Sequence, residues 1–313
     1  MGEIIKQSLR ESYAKTLIKL GKEHQNIVVV DADLSTSTKT ALFGKEFPDR
    51  FFNIGISEQS MIGIAAGLAL KGKTVFASSF AVFASGRDWD QIRQSVCYNE
   101  VDVKIVATHG GITVGEDGAT HQSNEDIAIM RILPNMRVIV PADAFETERV
   151  IEKVYGIKGP FYVRLSRENF PVIYDKDYKF ELGRFDVLRK GKDGVIFAIG
   201  KEVYESLSAA EELEKEGISM TVINASSVKP LDKDLIYQYA KEFDRFFVVE
   251  EHQKIGGLGS AIGEFITEER PIIIKKIGID NIFGVSGKAD DLIKYFKLDS
   301  KGIYNYIKTV MGG

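Results

Sequence analysis

The chain has 313 residues, 44% hydrophobic and 27% charged, with a net charge of −4 and a pI near 5.8. That length suits two cores rather than one, and the weak acidic balance argues against a nucleic-acid or anionic-membrane surface, which would need a basic excess. Its one cysteine, Cys97, excludes an intrachain disulfide and fits a reducing cytoplasm, and the longest apolar run, Met61–Leu70, is too short to span a bilayer.

The first residues, MGEIIKQSLRESYAK, lack an apolar signal core and read as an amphipathic helix. Lys6 stands where a myristoylation signal needs serine or threonine, which dismisses the Met1-Gly2 start as a lipid anchor. Asn26–Val30 reads as a strand, and Asp31-Ala-Asp-Leu-Ser-Thr-Ser-Thr38 follows it. As a calcium loop that segment fails for want of the central glycine and closing glutamate, so Asp31 and Asp33 read as an Asx-turn pair. Asn53-Ile-Gly-Ile-Ser-Glu-Gln59 then leads into a small-residue helix, Glu58–Lys71. By chemistry alone Glu58 is a first-turn acid favoured by the helix dipole, and Ser57 is its candidate cap.

A strand at Lys73–Phe76 runs into Ser78-Ser-Phe-Ala-Val-Phe83, where Phe80 and Phe83 read as core. A helix at Ser85–Tyr98 and a strand at Val103–Ala107 lead to the long loop Thr108–Gln122. That loop holds Gly110, Gly111, Gly115 and Gly118 with His109, His121, Glu116 and Asp117. Long loops without regular structure are usually functional. The two histidines lack helical i, i+4 spacing and have no cysteine partner, so a metal site is not expected. Helices at Asn124–Arg131 and Ala144–Val154, and strands at Met136–Val140 and Gly159–Leu165, complete the block. Short apolar strands separated by helices predict a parallel α/β sheet. Ligands of such sheets bind beyond the carboxyl ends of the strands, where all four polar segments fall.

Ser166–Leu188 is polar, aromatic and irregular and reads as a linker. The pattern then repeats. Strands are predicted at Val195–Ile199, Met220–Asn224, Phe246–Glu250 and Ile272–Ile277, with helices at Val203–Glu216 and Leu258–Thr267. Domains at 1–165 and 189–313, joined by 166–188, are the expectation. Gly257-Leu-Gly-Ser-Ala-Ile-Gly263 superficially matches a dinucleotide phosphate loop. Six residues separate it from the preceding strand, whereas that fingerprint needs the glycines directly after the strand, so close helix packing accounts for it better.

Four segments occur together in a telling order. NIGISEQSMIGIAAGLAL resembles the pyrimidine-domain motif of transketolases, THGGITVGEDGATHQS their His-loop, VRLSRENFP their Ser-Arg-Gln-Asn-Leu-Pro signature and DADLSTS their Ala-Asp-Leu-Thr segment. The resemblance covers the whole chain, as the C-terminal half of a transketolase. It implies two consecutive parallel-sheet α/β domains, a thiamine diphosphate pyrimidine-binding domain followed by a transketolase C-terminal domain that is mostly structural.

It also implies roles. Glu58 would hydrogen-bond the pyrimidine ring nitrogen of thiamine diphosphate, so that the cofactor supplies its own base. Phe80 and Phe83 would pack on that ring, and Asp33 would lie close by. Asp117 and His121 would face the sugar hydroxyls, His121 assisting proton transfer. Arg10, Ser37, His109 and Arg167 would hold the sugar phosphate. No Gly-Asp-Gly motif occurs, so Mg2+ and the diphosphate are assigned to an N-terminal partner subunit in an α2β2 assembly. By that resemblance the chain begins where the pyrimidine domain of the longer enzymes begins, which fits either a gene-encoded subunit or a fragment of a longer enzyme, and the Met-Gly start before a first helix favours the subunit. The expectation is therefore the C-terminal subunit of a split transketolase of the pentose phosphate pathway, cytoplasmic and inactive alone.

Two positions depart from the pattern. Gly86 stands where many transketolases carry a tyrosine, so Arg87 or Trp89 makes that contact or nothing does. GRDWDQIRQSV leans toward deoxyxylulose phosphate synthase. The alternatives are therefore a subunit like that synthase, one like a 2-oxo acid dehydrogenase beta chain, or a non-catalytic scaffold. Arg10, His109 and Arg167 favour a phosphorylated sugar.

Overall fold

The computed structural model describes residues 5–312; Met1–Ile4 and Gly313 lie outside the described residues. The N-terminal helix starts only at Leu9, where the Ser8 side chain accepts the Glu11 amide, and runs to Glu23. Lys6–Ser8 before it is a short strand, paired antiparallel with Asn169–Pro171.

The first sheet has seven strands in the order Ser227–Lys229, Arg137–Ile139, Phe161–Arg164, Val103–Ala107, Thr74–Ser78, Ile27–Asp31 and Phe51–Asn53. All pairings are parallel except that of Ser227–Lys229, a strand contributed by the second half of the chain. Successive side chains of a strand point to opposite faces. Ile27 and Val29 therefore pack under the helices Leu9–Glu23 and Ala144–Tyr155, while Val28 and Val30 pack against helix Glu58–Leu70. Every residue of Ile27–Asp31, Thr74–Ser78 and Val103–Ala107 is buried, as expected of a sheet covered on both faces.

The second sheet has five strands, ordered Ile273–Ile279, Arg245–Gln253, Gly194–Ala198, Met220–Asn224 and Asp186–Arg189. Only Asp186–Arg189 is antiparallel. One apolar core runs through both sheets, from Val30 and Met61 to Phe197, Phe246 and Leu258. A further cluster joins helix Glu202–Glu214 to the C-terminal helix Ser300–Gly312.

Three local readings differ from expectation. Phe51–Asn53, too short to show a pattern, forms an edge strand beside Ile27–Asp31. The helix expected over Ser85–Tyr98 is broken into Phe83–Gly86, Trp89–Gln91 and a π-helical turn at Ile92–Cys97, because Asp88 leaves helical geometry. Ser166–Leu188 is not wholly irregular, since it holds Asn169–Pro171 and the start of Asp186–Arg189. No helix among the described residues is long and apolar enough to cross a membrane.

Candidate active site

The carboxyl ends of strands Ile27–Asp31, Thr74–Ser78 and Val103–Ala107 open toward one side, and their loops build the site there. Asp31 is committed to the loop that follows it. Its carboxylate accepts from the Leu34 amide and from the Thr38 and Thr40 hydroxyls, each at 2.7 Å, an Asx-type turn. Burial pushes its carboxyl up, and those three bonds oppose the shift. Asp33, exposed and at φ 64°, is clamped by Asn53: its amide donates to Asn53 Oδ1 at 3.1 Å and its Oδ1 accepts from Asn53 Nδ2 at 2.8 Å.

Glu58 opens helix Glu58–Leu70 and is 4% exposed. Ser57 does not cap that helix; its hydroxyl turns to Ser60 Oγ at 3.0 Å. Among the described residues the Glu58 carboxylate meets only Arg87 Nη1, at 3.5 Å. The Arg87 guanidinium lies 4.2 Å above the Phe83 ring. Trp89, by contrast, turns away and donates its indole N–H to the Ile129 carbonyl at 2.9 Å. A Cβ at Gly86 would meet nothing within 4 Å, so the space a larger residue would fill is open.

From Arg87 an aromatic column runs inward. Phe83 and Phe80 are stacked at 6.0 Å and 13°, and Phe80 and His109 at 3.7 Å and 21°. His121 presents its edge to Phe83 at 5.4 Å. His109 is 3% exposed, at φ 59°, and its Nδ1 shares a hydrogen bond with the Thr108 hydroxyl at 2.8 Å. Burial, then the charges of Arg10, Arg167 and His121, bring its pKa down to about 3. His109 is therefore a neutral ring that can offer an N–H but no positive charge.

The charge comes from the arginines. Arg10 donates to the Ser37 carbonyl at 2.8 Å and the Arg167 carbonyl at 2.7 Å, and among the described residues it has no carboxylate partner. Burial and the Arg167 charge lower its pKa from the ordinary value. Arg167 Nη1 reaches Asp117 at 3.4 Å. Both arginines line a cavity of about 370 Å³ with Lys6 and Lys201 against Glu168 and Asp290. Neither Lys6 nor Lys201 is a candidate site residue on the sequence alone. Lys201 comes from the second sheet's connections, and no local pattern could bring it here.

The structure thus joins Glu58, Phe83, Phe80, His121, His109, Arg167, Asp117, Arg10 and the Ser37 backbone in one strip, while Asp33 is tied to the edge strand by Asn53. No group of three or more His, Cys, Asp or Glu side chains placed to hold a metal occurs among the described residues. The dinucleotide-like glycines serve packing. Glu250 accepts the Leu258 and Gly259 amides at 2.7 and 3.0 Å, filling the helix N-terminus that a phosphate would need.

Residues 5–172 match the family described as transketolase, pyrimidine binding domain, and residues 183–303 that described as transketolase, C-terminal domain. The chain is 51% identical over 310 residues to a provisionally named transketolase C-terminal section of Methanocaldococcus jannaschii, covering 97% of this chain and 96% of that one. It is 37% identical to one of the subunits of an apulose-4-phosphate transketolase of Phocaeicola vulgatus, over 94% of each chain. A solved structure described as a split gene transketolase, an inactive beta4 tetramer, superposes with a TM-score of 0.89 at 45% identity, covering 97% of this chain and 98% of that one.

Proposed function

This chain belongs to the transketolase family, and from that premise we propose that it is the C-terminal subunit of a split transketolase, moving a two-carbon ketol unit between sugar phosphates. The observation that carries the reading is the strip itself, with a buried carboxylate at one end and, at the other, Arg167 beside the Arg10 guanidinium, which has no carboxylate partner among the described residues.

The residues fit the aminopyrimidine end of thiamine diphosphate. Glu58 has a carboxylate bound to no backbone group, and Phe80 and Phe83 offer flat apolar surface beside it. When bound, that cofactor supplies a nucleophilic carbon for ketol transfer. Glu58 would hold the pyrimidine nitrogen. His121 and Asp117 would contact the sugar hydroxyls, with His121 moving a proton there. Arg10 and Arg167 would bind the phosphate, helped by an N–H from His109. Asp33 would stand near the cofactor on the partner-facing side.

A partner is supported by helix Glu58–Leu70. It is apolar on nearly every face, yet Ile56 and Leu70 flanking its length are 78% and 68% exposed, Ile64 is 41% exposed, and Gly63 and Gly67 have open space beside them. A helix hydrophobic all round is normally buried all round. The expected occupant is an N-terminal subunit carrying the diphosphate and Mg2+, in an α2β2 assembly. The described inactive beta4 relative agrees with a chain that does not act alone.

The test is ketol transfer from xylulose 5-phosphate to ribose 5-phosphate, with thiamine diphosphate and Mg2+, by each subunit alone and by the two together. Activity in the mixture only is expected. A stable complex that binds cofactor but is inactive would overturn the pentose phosphate assignment. The apulose-4-phosphate relative makes apulose 4-phosphate the next donor to assay.

A further inference from the structure

The loop Thr108–Gln122 is gripped from the second domain by a buried glutamate that the proposed chemistry does not use. Glu251, in strand Arg245–Gln253, is 3% exposed, and its Oε1 accepts the Thr113 amide at 2.7 Å. Gly111 lies against the same carboxylate. A Cβ there would fall 2.3 Å from Oε1, on a backbone at φ +83° that favours glycine anyway. Glu202 opens helix Glu202–Glu214, is fully buried, and among the described residues neither of its oxygens has a hydrogen-bond partner.

Few charges face this pair. Arg164 directs Nη2 to the Ser123 and Glu251 carbonyls at 3.2 and 3.0 Å and its Nε to Asp126 at 2.9 Å. Lys201 stands 3.9 Å from both Glu205 and Asp290. Burial, and then the charge of Glu251, push the Glu202 carboxyl well up. Burial raises Glu251 too, but Arg164 and the Thr113 amide favour its charged form.

We infer that Glu251 is a positioning residue for the loop bearing His109, Asp117 and His121, so that the second domain sets the geometry of the sugar-facing groups. The catalytic consequence rests on the proposed function; the geometric part does not. Without Glu251 the Thr113 amide is left buried and unsatisfied and Gly111 faces a void. A glutamine keeps the acceptor oxygen in place.

Amide hydrogen exchange of Gly110–Ser123 in the full chain, corrected for intrinsic rates, tests this. Glu251→Ala is expected to speed loop exchange by about tenfold or more, the cost of one unmet buried amide, while strand Gly194–Ala198 stays protected. Glu251→Gln should restore slow exchange. Unchanged loop exchange in Glu251→Ala, or equal loosening in Glu251→Gln, overturns the proposal. In the two-subunit complex, Glu251→Ala should raise the KM for xylulose 5-phosphate and leave thiamine diphosphate affinity unchanged, and a fall in cofactor affinity instead would also overturn it. An inactive wild-type complex would sink the function reading alone, since the exchange result decides the positioning claim by itself.

Discussion

Two helices of this chain are built from the same ingredients and end in opposite states. Glu58–Leu70 and Leu258–Glu269 both follow a glycine-bearing loop, both are rich in small apolar residues, and both start beside a buried glutamate. In the second domain Glu250 folds back onto the helix and accepts two backbone amides. In the first domain Glu58 accepts none and meets only a half-exposed arginine. A helix N-terminus is a ready anion site, and the chain closes one with its own carboxylate while leaving the other carboxylate free for a ligand. Burial does not distinguish the two glutamates; hydrogen-bond satisfaction does.

The largest effect should come from breaking the free one. Glu58→Ala, assayed with the partner subunit, is expected to cut ketol transfer by at least about a hundredfold, the scale of a lost positioned polar group at a reacting centre. Calorimetry should show little change in melting temperature, because no backbone group depends on that carboxylate. Full activity in this variant would favour the scaffold alternative. Glu250→Ala should do the reverse. It strands two buried amides at the helix start and should lower stability by about 2–4 kcal/mol, read from the urea midpoint. If the midpoint holds, the contrast between the two glutamates fails.

Much of this contrast was hidden in the sequence. The strands were legible because Ile27–Asp31 and Val103–Ala107 are short, β-branched and covered on both faces. The strip was legible through its order of motifs, which led to Glu58, Phe80, Phe83, His109 and the arginines. What could not be read depends on contacts distant along the chain. Asn53 clamps Asp33 only once Phe51–Asn53 pairs as an edge strand. Glu251 meets the loop Thr108–Gln122 only through folding of the second sheet against it. Ser227–Lys229 joins the first sheet from beyond a whole intervening segment. Ser57 looked like a cap by residue type, but cap geometry depends on backbone angles that its neighbours decide.

A smaller effect concerns Asp88, directly after Arg87. It is fully buried, and neither carboxylate oxygen has a partner outside its own residue. Burial, opposed by its own backbone amide and reinforced by the Glu58 charge, pushes its pKa up to about 8. The folded state thus holds a proton that the unfolded chain releases. Asp88 stabilises fully at acid pH, and that contribution fades as pH rises from the ordinary carboxylate range through about 8. Asp88→Asn should flatten this slope and gain about 1–2 kcal/mol over the wild type near pH 8, a discounted share of the shift. Denaturant titrations at several pH values would show it, and parallel curves for the two proteins would remove Asp88 from the account.

The smallest effect separates two roles for Arg87. Its side chain is 53% exposed, so its pair with Glu58 should be worth no more than about 0.5 kcal/mol of stability. Its position matters more than its energy. At 3.5 Å from Glu58 and 4.2 Å above Phe83, it occupies both surfaces that the pyrimidine ring would need. If it is a stand-in that must leave, Arg87→Ala in the two-subunit complex should tighten thiamine diphosphate binding by about two- to fivefold, since a screened surface pair is all that binding has to displace. If it instead takes the role of the ring absent at Gly86, the same variant should weaken binding. Isothermal titration of the cofactor into the complex decides the sign, and weaker binding would mean that the free glutamate is less free than its hydrogen bonds suggest.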